Sequence, residues 1–237
     1  MFQYNNALYE DILFHMLDSG FLHYQDCTMV SKKYFEAAYQ ERESRKTVEK
    51  GRMGQDVFKL DGLKHRDNDL PAIIWPNGTK GWYRNGLKHR YGDQPAVIWS
   101  TGTKEWYRNG LKHRDGDQPA IIGPDGHKAW YKNGKRHRDG DQPAVIGPNE
   151  TEEWWQNGKL HRYGDLPVII CSNGSKAWYK NGKLHRDGDL PAIICSNGTK
   201  EWCRNGLKHR DNDQPAVIRS NGSKEWWRNG VYLTIIR

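Results

Sequence analysis

Two apolar rhythms divide the chain. Up to about residue 38 the apolar residues recur at helical spacing; from about residue 58 they come as short runs between turn signals. Leu8, Ile12, Leu13, Met16 and Leu17 follow an i, i+4, i+5 pattern behind Asn5 or Asn6 as a cap, which predicts a helix that Ser19-Gly20 ends. Phe21, Leu22, Cys27 and Val30 mark a second helical segment, and Tyr34, Phe35 and Ala38 a third. From Gln40 to Gly54 the chain is charged and poor in apolar residues, a solvated helix end or linker. The organisation expected is a helical segment with its linker over residues 1–54 and a repeat region over 55–237.

In the repeat region one pattern recurs seven times without insertion or deletion, with a period of 24 residues, starting at Gly62, Gly86, Gly110, Gly134, Gly158, Gly182 and Gly206. It reads G-x-x-H-R-x-x-D-x-P-A-x-I-x-x-x-G-x-x-x-W-x-x-N. Fixed-period self-similarity signals stacked supersecondary units that bury surface against their neighbours. Asn-Gly, the strongest short hairpin signal, stands at each repeat boundary; a second turn of the form [Asn/Thr/Asp]-Gly follows the apolar run and becomes Asn149-Glu150 in the fourth repeat. Between the turns lies an expected six-residue strand such as Thr103–Arg108. The Asp-Gly-Asp-Gln-Pro stretch predicts a bulge or surface loop, because proline cannot donate to a ladder. The fold class expected is mainly β: an elongated ribbon of antiparallel hairpin repeats with a small N-terminal helical segment. The last unit, Val231–Arg237, lacks the loop motif and ends the stack.

Composition agrees with a thin repeat architecture. Only 35% of residues are hydrophobic, mean hydropathy is −0.99, and eleven Trp and twelve Tyr stand against five Phe. No stretch approaches the roughly 20 apolar residues of a membrane span, and the N-terminus lacks the basic start and apolar run of a secretory signal. Equivalent cysteines in successive repeats, Cys171 and Cys195, lie about 10 Å apart if each repeat adds two strands, too far to bridge. An intracellular location, in the cytoplasm, is expected.

The recurrent residues have structural explanations. His65 and its six equivalents, spaced by whole repeats, cannot share one metal ion; each is expected to donate to the Asp four residues on or to a loop carbonyl. Those aspartates, Asp69 and its equivalents, suit an Asx-turn or a pair with the preceding Arg. Trp82, Trp106, Trp130, Trp154, Trp178, Trp202 and Trp226 are expected to form a buried spine. No Gly-rich phosphate loop, nucleophile elbow or unique acid–base set occurs, so a non-enzymatic protein without cofactor or metal is expected.

Charge is the remaining candidate chemistry. The net charge is +8, with residues 1–54 at −1 and the repeats at +9. Lys80, Lys104, Lys128, Lys176, Lys200 and Lys224 form one basic file, interrupted by Glu152. Arg84, Arg108, Lys132, Lys180, Arg204 and Arg228 form a second, interrupted by Gln156, and Arg66 with its equivalents a third. On one unbroken strand Lys80, Trp82 and Arg84 would share a face, a basic and aromatic stripe suited to nucleic-acid phosphates or anionic lipid headgroups. Solubilising files paired across strands are the alternative.

Two family resemblances add expectations. Leu8-Tyr9-Glu10-Asp11-Ile12-Leu13, Met16-Leu17, Leu22, Cys27, Val30-Ser31-Lys32 and Phe35 resemble the F-box, with Tyr9 where that family usually has proline. The resemblance implies docking on a Skp1-type adaptor of a cullin ubiquitin ligase through Leu8, Ile12, Leu13, Leu17 and Val30; the alternative is a plain helical cap on the first repeat. The order W-x-x-N-G-x-x-H followed by a Gly turn and another Trp resembles the MORN repeat, with H-R-x-x-D-x-P-A in place of H-G-x-G. Together the two segments resemble F-box and MORN repeat proteins of large DNA viruses of amoebae. That implies a host-directed adaptor whose repeats hold an unidentified target protein.

Overall fold

In the computed structural model, residues 29–236 are described, with side chains for 36–234. They fall into two compact units, one ending at Ser100 and one beginning at Thr101. Both are built from antiparallel hairpins, and the single described helix, α1 (Met29–Ser44), precedes them. The fold is mainly β with repeated hairpins, as the turn spacing predicts.

α1 continues through Val30, Tyr34, Phe35 and Ala38, merging segments that the sequence separates. The charged stretch that follows is not all linker. Residues Lys46–Lys50 form β1, antiparallel to β2 (Asp56–Leu60), with Lys46 opposite Leu60 and Lys50 opposite Asp56. Cross-strand pairs Lys50–Asp56 at 2.5 Å and Lys59–Glu49 at 2.7 Å match the charges that had suggested a solvated linker. Opposite charges on facing strands favour pairing as readily as they favour solvation.

Each repeat contributes two strands to a ladder and a second, separate hairpin. In the first unit β2 pairs with Ile73–Ile74, which pairs with Lys80–Gly81, which pairs with Val97–Ile98. In the second unit the same succession runs from Lys104–Glu105 to the terminal hairpin of Lys224–Arg228 and Val231–Ile236. The six-residue strand expected over Thr103–Arg108 is broken at its tryptophan. Lys104–Glu105 belongs to the ladder, whereas Tyr107–Arg108 pairs with Leu111–Lys112 across the Asn-Gly turn. Trp106 sits at the crossing: its N–H donates to the Ala120 carbonyl at 2.8 Å and its carbonyl accepts from the His113 N–H at 3.2 Å. A backbone bonded on both sides to different strands bends there and turns its indole inward. One strand runs through this position over Asp56–Leu60 and over Lys224–Arg228, the latter with an irregularity between Trp226 and Trp227.

Both turns take the geometry that their residues allow. At the Asn-Gly turns both φ values are positive (47° and 82° at Asn109-Gly110), the type I′ form that fits a right-twisted hairpin. At the other turn Trp75 accepts from the Gly78 N–H and donates to the Thr79 carbonyl, both at 2.9 Å, with Gly78 left-handed at 87°. In the fourth repeat Glu150 takes that left-handed place at φ 62°. In each unit the core is built of small residues and tryptophans: Ala72, Ala96 and Trp82 are buried in the first, and Ala120, Ala144, Val168, Ala192, Ala216 and the tryptophans from Trp106 to Trp202 in the second. Trp226, at the end of the stack, is half-buried.

Candidate interaction surface

The recurrent polar residues are consumed by contacts that tie one repeat to the next. Each arginine after the histidine stacks its guanidinium on the preceding repeat's tryptophan, at 3.8–4.0 Å from the ring centroid for Arg90, Arg114, Arg138, Arg162, Arg186 and Arg210. In Arg90, Arg138, Arg162, Arg186 and Arg210, Nε and Nη2 donate to both carboxylate oxygens of the preceding repeat's aspartate (Asp69, Asp117, Asp141, Asp165, Asp189) at 2.6–2.9 Å. Their Nη1 donates to the carbonyl of the proline in their own repeat at 3.1–3.4 Å. One planar side chain thus bonds two loops and covers an indole, which a lysine cannot do. The bond to arginine holds the Asp117, Asp141, Asp165 and Asp189 carboxyls below the usual range.

The aspartate that holds the arginine also positions the tryptophan. Asp69, Asp117, Asp189 and Asp213 have left-handed backbones, and their carbonyls accept the indole N–H of Trp82, Trp130, Trp202 and Trp226 at 2.9–3.0 Å. Asp165 and Asp141 do not adopt the left-handed region. The Trp178 bond to Asp165 stretches to 3.3 Å, and Trp154, facing Asp141, is left with a buried indole N–H that has no partner.

Histidine contacts differ from the expectation by two residues. Nε2 of His65, His113, His137, His185 and His209 lies 2.8–2.9 Å from the Asp two positions on, not four. Nδ1 of the same rings accepts the backbone N–H of the turn asparagine at 3.1–3.4 Å, so the proton sits on Nε2 and is donated to the aspartate. The Asp four positions on is claimed instead by the next repeat's arginine, or by Arg228 in the case of Asp213. Among the described residues no cluster of metal-ligating side chains forms.

The basic files fare differently. In the second file Arg108, Lys132, Lys180 and Arg204 each pair with the histidine-bound aspartate seven residues on, Lys132 to Asp139 at 3.0 Å and Lys180 to Asp187 at 2.9 Å. Arg228 reaches Asp213 at 3.4 Å. Arg84 instead lies over the ring of Tyr91, which stands where the aspartate would be. The first file is exposed throughout: Lys80, Lys104, Lys128, Lys176, Lys200 and Lys224. None of them has a carboxylate within ion-pair distance among the described residues. On the ladder these lysines face half-buried isoleucines, Lys128 lying between Ile122 and Ile146 and Lys200 between Ile194 and Ile218. The shared basic and aromatic stripe does not form, because Trp82 is buried while Lys80 points to solvent. The surface is lysine and isoleucine instead.

Of the residues expected to face an adaptor, Leu8, Ile12, Leu13 and Leu17 lie outside the described residues, and Val30 falls in α1 with its side chain outside them. No protein-family model matches the chain, and no curated protein is significantly similar to it. No described helix is long and apolar enough to cross a membrane. The three described cysteines, Cys171, Cys195 and Cys203, are free, and burial raises the Cys203 thiol to about 11.

Sequence reasoning passed over two sets of residues. The opposite face of the ladder buries Glu105 and Glu225: Tyr107 donates to Glu105 at 2.8 Å, and Trp227 Nε1 and Arg219 Nε donate to Glu225 at 2.9 and 2.7 Å. Asp115, Asp139, Asp187 and Asp211 join histidine to the second basic file. A partial signal was present in the sequence, since Gln156, the uncharged member of that file, has Tyr163 in place of the aspartate seven residues on, although Arg84 likewise faces Tyr91.

Proposed function

We propose that this chain is a non-enzymatic interaction protein whose repeats form a binding scaffold and whose N-terminal segment recruits a Skp1-type adaptor. The observation that carries the scaffold reading is the division of labour in the repeat. Histidine, aspartate, arginine and tryptophan are bonded to one another across repeats, which leaves the variable outer surface as the part available to a partner. The adaptor half rests on the F-box-like residues Leu8, Ile12, Leu13, Leu17 and Val30, and the resemblance to viral F-box and MORN repeat proteins makes a host target the natural object of the repeats. Co-purification of residues 1–237 with a eukaryotic Skp1 adaptor, beside a Leu8→Asp, Val30→Asp variant, tests it. Retention by the parent and loss by the variant supports the adaptor role. No retention by the parent reduces the segment to an end cap.

A second reading is favoured by the unpaired lysine file. Five exposed lysines of the second unit share a face with isoleucines, and near an anionic surface each contributes about 1 kcal/mol. An anionic lipid or nucleic-acid partner follows, with affinity that falls steeply with salt. Vesicle and duplex titrations at low and high salt decide it; affinity independent of salt rules it out.

A further inference from the structure

In the first two repeats two arginines lack the carboxylates that most of their equivalents hold. Arg66 keeps the pose of its equivalents, with its guanidinium 3.6 Å from the Phe58 ring centroid and Nη1 donating to the Pro71 carbonyl at 3.3 Å. Among the described residues none supplies it with the carboxylate its equivalents hold, and Arg45 stands at that sequence position. Arg84 lacks its carboxylate for a different reason, since Tyr91 replaces the aspartate and its ring lies under the guanidinium at 4.9 Å. Both arginines line one cleft of about 480 Å³ in the first unit. The cleft between repeats five and six, where Arg162 holds Asp141 and Lys180 holds Asp187, is about as large at 470 Å³, and those between three and four and between six and seven measure about 180 and 170 Å³.

The cleft's own acids are already satisfied. Asp69 is held at both oxygens by Arg90, and Asp67 is bound by Arg42, Lys46 and His65. The cleft is further lined by two guanidinium groups that hold no carboxylate among the described residues and by the rings of Tyr83 and Tyr91, the latter half exposed and edge-on to His89.

We infer that this cleft binds a small phosphomonoester bearing a planar ring, of the mononucleotide class, through Arg66 and Arg84 on the phosphate and Tyr91 on the ring. Two guanidinium groups match a dianionic phosphate better than a single carboxylate, because each offers a fork of donors to its oxygens. An exposed phenol beside them gives a flat ring a stacking surface. The volume falls in the range of small-ligand sites. The inference is independent of the adaptor reading, because it uses neither the N-terminal segment nor the exposed lysine file.

Tyr91→Asp is the decisive variant. It restores the arrangement of repeats three, four, six and seven, so it is compatible with the fold, and it gives Arg84 a carboxylate that competes with phosphate. Calorimetric titration of the full chain with AMP, ribose 5-phosphate and adenosine should show AMP binding in the sub-millimolar range and each fragment weaker by at least about ten-fold. Tyr91→Asp and Arg84→Gln should each weaken AMP by at least about ten-fold, and Tyr163→Asp, the same exchange in the second unit, should leave it unchanged. Absence of AMP binding at millimolar concentration overturns the inference. So does equal binding of AMP and ribose 5-phosphate, undiminished binding by Tyr91→Asp, or equal loss with Tyr163→Asp.

Discussion

Glu150 occupies a left-handed backbone position that glycine fills in most other repeats, and an L-residue there costs about 1–2 kcal/mol. Glu150→Gly should therefore stabilise the protein by about 1 kcal/mol, read as a higher denaturation midpoint; an unchanged midpoint would mean that the turn has already relaxed around the glutamate. The same repeat carries the orphaned Trp154 indole, an unsatisfied donor that costs about 1–3 kcal/mol. The fourth repeat is thus the weakest link by two independent measures. Arginine in the third file does more than carry charge. A guanidinium stacked on a buried indole contributes about 0.5–2 kcal/mol, whereas an exposed ion pair contributes about 0–1 kcal/mol. Covering the tryptophan is therefore the larger share of the role. Arg186→Lys, which keeps the charge but loses the flat cover and the two-point bond to Asp165, should destabilise by about 1–2 kcal/mol in chemical denaturation. Stability equal to the parent would assign the whole effect to charge.

Among the elements, the loop between the Asn-Gly hairpin and the ladder strand couples neighbours, and its carboxylates give that coupling a pH dependence. Asp117, Asp141, Asp165 and Asp189 have folded values below the ordinary 3.8, chiefly through the bond to arginine. A depressed carboxyl binds fewer protons folded than unfolded, so its stabilisation is complete above the unfolded value and disappears as pH falls through the folded one. Burial, and then Arg108, hold His113 below its ordinary 6.5, so its contribution is present above that pH and declines below it. Thermal melting temperature should be flat at neutral pH, fall gently below about pH 6.5, and drop steeply below about pH 4; a midpoint unchanged down to pH 3 would contradict the fork as a stabilising element. The hairpin turns were legible in the sequence because Asn-Gly admits few backbone solutions. The strand break at tryptophan was not legible, because Lys-Glu-Trp-Tyr-Arg has the alternation and β propensity of one strand. Its division depends on Ala120 and His113, which lie 14 and 7 positions further along.

At the scale of the whole molecule the repeat is the unit of stability. Excising residues 158–181 joins Asn157 to Gly182 in phase and sets Arg186 over Trp154 and Asp141. The shortened protein should fold cooperatively with a lower denaturant slope, in proportion to the surface removed, since repeat stability is approximately additive between neighbours. Loss of cooperative unfolding would show that the excised repeat is not interchangeable. The sequence by itself determined the period, both turns, the mainly β class and the buried tryptophan file, because turn chemistry and apolar spacing are local and are repeated seven times. Only the tertiary structure decided which charges remain for a partner. The third basic file, Arg66 apart, is consumed by tryptophan and aspartate and most of the second is paired, while the first is left open. The physical reason is that ion pairing here joins residues 7 or 21 positions apart. Such a pair forms only when a turn folds the hairpin back or one repeat lies on the next.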